Sequence, residues 1–167
     1  MKIKVPFFKQ DTIYSCGPAT LQMAMAFFNK RISESELSKK METKKPNGTR
    51  VGKMIDTARK EGFYCYVNDE STIEEIKYFL MIKLPVIVNF IEPVDNEGHF
   101  SVVTGINKGK IILNDPWNGK GFKIRVGDFK KRWESEDKRH KRWMLVISTE
   151  DFKMGKDYLP IKRKKRQ

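Results

Sequence analysis

The sequence predicts an α+β domain, in which helices from the first half pack on a mostly antiparallel sheet from the second half. Three observations lead there. Up to about residue 83 the apolar residues recur mainly at helical spacing, with one short strand-like run between. Beyond it they gather in short runs rich in Val, Ile and Phe, separated by Gly, Asn and Asp. The chain of 167 residues, 39% of them hydrophobic, is long and apolar enough to enclose a core in one domain.

The elements follow in order. "GPATLQMAMAFFNK", from Gly17, reads as a buried helix, because Pro18 suits its first turn and apolar residues fill nearly every later place. "SESELSKKM" is a short second helix with Ser33 and Glu36 at capping-box spacing. "RVGKMIDTARKEG" puts Val51, Met54, Ile55 and Ala58 on one face and stops at Gly62. "FYCYV" is a strand. "STIEEIKYFLMIK" opens with a second Ser-x-x-Glu signal and aligns Ile73, Ile76, Phe79 and Leu80. Five strands follow: "PVIVNFI", "HFSVVTGI", "KIILNDP", "GFKIRV" and "RWMLVIS", with a short helix, "VGDFKKRWES", between the last two.

Composition narrows the function classes. No apolar run reaches the roughly 20 residues that span a bilayer, since Lys83 and Pro85 break the longest candidate, "YFLMIKLPVIVNFI". The opening "MKIKVPFF" lacks the apolar stretch and cleavage site of a signal peptide, so a cytoplasmic location is the expectation. Two cysteines do not make a secreted disulfide scaffold. A zinc site from Cys16, Cys65, His99 and His140 would lack paired short spacings. No phosphate-binding glycine loop is present, and no cofactor is expected. The net charge of +13 is concentrated in residues 120–142 and in the last fifteen residues, each contributing +6. We therefore expect a domain over residues 1–150 and a basic tail over 151–167, which at most attracts polyanions weakly.

One short stretch, "FFKQDTIYSCGPAT", carries the chemistry. Cys16 stands at the mouth of a helix, where unpaired backbone N–H groups and the helix dipole favour a thiolate. Such a thiol needs a histidine. His140 lies among cations in "DKRHKRW", whereas His99 opens a strand, which makes it the better candidate base. An imidazole needs an acceptor to orient it. A hairpin turning at "NKGK" would bring His99 beside Asn114 and Asp115, and charge favours Asp115. Gln10, six residues before Cys16, can offer an N–H to an oxyanion, as can the Cys16 backbone. Gly98 and Trp117 flank these residues and are candidate substrate contacts. Cys65, inside "FYCYV", reads as core.

The blocks "QDTIYSCGPATLQMAMAFF", "GHFSVVTGI" and "LNDPWNG" resemble the signatures of the bacteriocin-processing family of papain-like cysteine peptidases. The resemblance extends over about residues 5–147. It implies Cys16 as nucleophile, His99 as base, Asp115 as orienter and Gln10 as oxyanion donor, acting on a peptide or protein substrate. Better-known members of that family cut leader peptides after a double glycine, a specificity not carried over here. A peptide- or nucleic-acid-binding module on the same fold, or acyl transfer to an amine, would be the alternatives.

Overall fold

The computed structural model describes residues 1–153 and 157–161, and the basic run at 162–166 lies outside them. Helix α1 (Cys16–Phe27) is followed by α2 (Glu34–Lys40), α3 (Val51–Lys60), strand β1 (Tyr64–Asn68) and α4 (Ile73–Met81). Next come β2 (Val86–Ile91), β3 (Gly98–Asn107), β4 (Lys110–Asp115), β5 (Gly119–Arg125), α5 (Val126–Arg132), β6 (Met144–Ser148) and β7 (Asp157–Tyr158). The predicted helix-first, strands-later order is therefore the observed one.

The strands form one sheet in the order β5-β4-β3-β2-β6-β1-β7, and neighbours pair antiparallel. Helix α1 lies against β3, with α2 beside it. Its residues from Gly17 to Met25 are almost all buried, as expected of a helix that is apolar all round. Leu21, Met23 and Met25 share a core with Phe90, Val102, Val103 and Leu145. Burying one such side chain contributes roughly 1.5–3 kcal/mol.

The start of the chain runs across β3. Ile3 donates its N–H to the Thr104 carbonyl at 2.7 Å, and Met1 accepts from Ile106 at 3.0 Å. A side chain at Gly105 would stand 2.6 Å from the Met1 carbonyl oxygen, so only glycine allows this approach. The strand bulges at that point, between Val103 and Gly105.

The α4 cap differs from the sequence reading. Two overlapping Ser/Thr-x-x-Glu frames occur there, and the helix uses the later one. Thr72 accepts from Glu75 N, and the Glu75 carboxylate accepts from Thr72 N. Ser71 is kept out of the helix because its own N–H is bonded to the Arg142 carbonyl at 3.0 Å. No helix among the described residues is long and apolar enough to cross a membrane.

Backbone pairing continues past residue 150. Tyr158 pairs with Cys65, Arg59 Nε donates to the Leu159 carbonyl at 2.7 Å, and Ile161 N–H donates to Arg59 O at 2.8 Å. Tyr158 and Leu159 stay exposed, so few apolar contacts back these bonds. We propose that the working domain still ends near 150. Deletion from residue 155 onward is expected to lower Tm by a few degrees, at about 2–4 °C per kcal/mol, and to leave turnover intact. Unfolding of the truncated chain, read by circular dichroism, would make the last strand part of the domain.

Candidate active site

Cys16 is the first residue of α1 and is half-buried. The preceding residue, Ser15, does not cap the helix with its side chain. Its hydroxyl instead accepts from Thr12 N at 3.0 Å and donates to Thr12 O at 3.1 Å. The loop ahead of the cysteine is thus folded on itself. Behind it, the turn at Gly48 and Thr49 presses on the same backbone. A Cβ at Gly17 would lie 2.5 Å from Thr49 Oγ1, and Gly48, with φ +65°, approaches the Tyr14 carbonyl. The glycine after the cysteine is required by that contact.

His99 comes from β3 and Asp115 from the end of β4. Val102 is opposite Asn114 and Val103 opposite Leu113. One further step in that register sets Asp115 opposite Ser101, diagonal to His99 on the same face. His99 Nε2 and Asp115 Oδ1 are 2.8 Å apart, and both residues are buried. Asp115 Oδ1 also accepts the backbone N–H of Trp117 at 2.9 Å and of Asn118 at 2.8 Å. The carboxylate is therefore fixed before it orients anything. Nε2 is engaged with Asp115, and the Cys16 side chain lies near enough to the ring to act on its charge.

These contacts set the charge of the ring. Burial, the strongest single influence, pulls the His99 pKa down. The bonds from Asp115 and Cys16, with the charges on both, outweigh it and push it up to about 10. The imidazole can therefore hold the proton that the sulfur gives up. Cys65 is the opposite case: burial in β1 pushes its thiol up to about 12.

The other expected residues fall as follows. Gln10 is buried and its backbone N–H is bonded to the Pro116 carbonyl at 3.0 Å, which ties the cysteine loop to the Asp115 turn. Its side-chain Nε2 donates to Thr12 O at 2.7 Å. An amide nitrogen carries two hydrogens, so one is committed and one remains. Asn114 points to the other face of the strand, where Nδ2 donates to the Val5 carbonyl at 2.9 Å, so it does not contact His99 as an orienter. Trp117 is 44% exposed, and its indole N–H donates to Asp95 Oδ2 at 3.0 Å. The Gly98 N–H faces Glu136 Oε2 at 3.3 Å, and a Cβ there would meet the Glu136 side chain at 2.7 Å. His140 is paired with Asp69 at 3.1 Å on the surface, away from this set. Among the described residues no group of three or more His, Cys, Asp or Glu could hold a metal ion.

Two buried acids around the site carry no signal in the sequence. Glu92, at the end of the β2 arm, accepts from Val94 N at 2.8 Å, Asp95 N at 2.6 Å and Asn118 Nδ2 at 3.3 Å. It thereby links the loop before His99 to the turn after Asp115. Glu34, at the start of α2, holds the backbone of Asp11. In sequence both look like ordinary turn and helix-start acids, and only the fold brings them to the site.

Solved structures share this fold. The peptidase domain of Streptococcus ComA, a bi-functional ABC transporter involved in quorum sensing, superposes with a TM-score of 0.71 at 20% identity. That match covers 88% of this chain and 98% of the ComA domain. A double-glycine-motif protease from an AMS/PCAT transporter, solved in complex with its leader peptide, gives 0.70 at 22% identity, covering 87% and 92%. The peptidase domain of Streptococcus mutans ComA gives 0.60 at 20% identity, covering 85% and 98%. No curated protein sequence gives a match. The sequence profile of the Peptidase_C39-like family covers residues 2–140, most of the chain. A half-buried cysteine at a helix start, beside a histidine that a buried aspartate holds, thus stands on a domain that belongs to the Peptidase_C39-like family.

Proposed function

We propose that the protein is a cysteine peptidase that hydrolyses a peptide bond through Cys16, His99 and Asp115, with Gln10 as an oxyanion donor. The observation that carries this reading is the His99 ring, bonded at Nε2 to a buried, pre-set carboxylate and lying beside Cys16. Family membership and the peptidase domains sharing the fold support it. A neighbour solved with a leader peptide supports a peptide as the substrate class.

In this mechanism His99 already holds the thiol proton when the sulfur attacks the scissile carbonyl carbon. The carbonyl oxygen becomes an oxyanion that accepts from the free Gln10 N–H and from the Cys16 backbone N–H. The C–N bond then breaks, and His99 gives the proton to the departing amine. A thioester on Cys16 remains. Water, losing a proton to His99, attacks it, and the acid leaves as the thiol is restored. Asp115 stays ionised and holds the ring throughout. Two free cysteines fit a reducing compartment, in line with a cytoplasmic location.

The test is labelling followed by product analysis. Iodoacetamide is expected to modify Cys16 well before Cys65, which is buried and whose pKa is raised to about 12. Peptides from digested casein, incubated in heavy-oxygen water, should gain label in a new carboxylate, and Cys16→Ala should abolish it. Faster labelling of Cys65 would remove the proposed nucleophile. Transfer of the acyl group to an added amine, without water incorporation, would replace hydrolysis by acyl transfer.

A further inference from the structure

The loop from Gln10 to Cys16 carries both oxyanion donors of the proposed reaction, and a carboxylate with no part in the chemistry anchors it. Glu34 opens α2 and is only 7% exposed. Its Oε1 and Oε2 accept the Asp11 backbone N–H at 3.3 and 3.1 Å. The Ser15 hydroxyl lies beside the same carboxylate. That hydroxyl closes the loop on Thr12, whose carbonyl takes the committed Gln10 N–H at 2.7 Å. Asp11 adjoins Gln10, and Gln10 is held on its far side by Pro116. Glu34 therefore fixes the one backbone position between the Gln10 side chain and the knot that orients it.

We propose that Glu34 is a positioning residue for the oxyanion hole, pinning Asp11 so that the second Gln10 N–H points at the developing oxyanion. The inference rests on the proposed function above. The electrostatics make a purely stabilising role a poor explanation. Burial first, and then the facing Asp11 side chain, raise the Glu34 pKa above the usual carboxylate value, against the opposing influence of the nearby Ser15 hydroxyl and the bond from the Asp11 backbone. A carboxyl whose pKa rises on folding adds most stability below its unfolded pKa and loses that contribution as pH rises through the folded value. As the carboxyl ionises that contribution is lost, a cost that fits a group kept for geometry.

Two probes separate geometry from folding. Acylation of Cys16 by p-nitrophenyl acetate passes through an oxyanion, whereas alkylation by iodoacetamide does not. Glu34→Met keeps volume but removes the acceptor. It is expected to slow acylation by roughly 10–100-fold, the scale of a small misplacement, with alkylation unchanged within about twofold. Glu34→Gln keeps an acceptor for Asp11 and removes the like charge, so it should acylate like the wild type with an equal or higher Tm. In a Gln10→Ala background, Glu34→Met should add nothing, because both act through one donor. Should Glu34→Met not fold, Glu34→Asp, one methylene shorter, takes its place with the same expectation. Acylation at the wild-type rate, or alkylation and Tm falling together with acylation, would overturn the proposal. So would a full additional loss on top of Gln10→Ala. If Gln10→Ala itself acylates normally, the oxyanion assignment fails first and Glu34 falls with it. A normal Gln10→Ala loss beside an active Glu34→Met sinks only the role of Glu34.

Discussion

His99→Ala is expected to cut peptide hydrolysis by roughly 10²–10⁴-fold, the range that one positioned acid–base group contributes. The variant removes the group that receives the thiol proton and later returns it to the leaving amine. It also removes the imidazole beside Cys16, and His140 is taken by Asp69 on the surface. Labelling of Cys16 by iodoacetamide at pH 7 should slow with it. The fold should tolerate the change less well than an exposed substitution, because Asp115 would then be buried without its ring partner. Melting curves recorded beside the kinetics separate the two effects. Unchanged labelling in a folded His99→Ala protein would dissolve the proposed Cys16–His99 pair.

The second large effect is in the pH profile. With the His99 pKa pushed up to about 10, turnover should persist to an alkaline limit near that pH. Asp115→Asn keeps an oxygen within reach of Nε2 but removes the charge and the strongest influence raising that pKa. The alkaline limit should move down by about 1–3 units, the usual effect of one close opposite charge. Turnover at pH 7 should fall as well, by as much as about 10⁴ if the amide selects the wrong ring tautomer. Stability should follow the same sign. A histidine whose pKa rises on folding contributes fully below about 6.5 and loses that contribution as pH climbs through about 10. The wild-type Tm should therefore decline across that window, and more steeply than in Asp115→Asn. An alkaline limit that stays in place in the variant would show that Asp115 does not govern the ring.

Much of this is legible in the sequence. Apolar spacing located α1, α3 and α4, and β-branched runs between turn residues located β2 to β6, because local period and burial agree there. Where two local signals overlapped, the fold chose. Ser71 and Thr72 each begin an acceptable cap, and the bond from Ser71 N to Arg142 selected Thr72. The last strand was not legible, because it is held by backbone bonds to Tyr66, Cys65 and Arg59 that leave no apolar pattern.

For the site, residue type and spacing alone singled out Cys16, His99, Asp115 and Gln10, since a thiol at a helix mouth and an imidazole at a strand start are local features. Strand parity separates Asn114 from Asp115, but register decides which of them faces His99, and register is a property of the paired sheet. The charge on His99 depends on burial and on two partners 16 and 83 residues away in sequence, so no local pattern encodes it. Glu34 and Glu92 show the same division most plainly. In the sequence they are unremarkable acids, and they acquire a role only because the fold removes them from water and brings a distant partner to each, the Asp11 N–H to Glu34 and the Asn118 amide to Glu92.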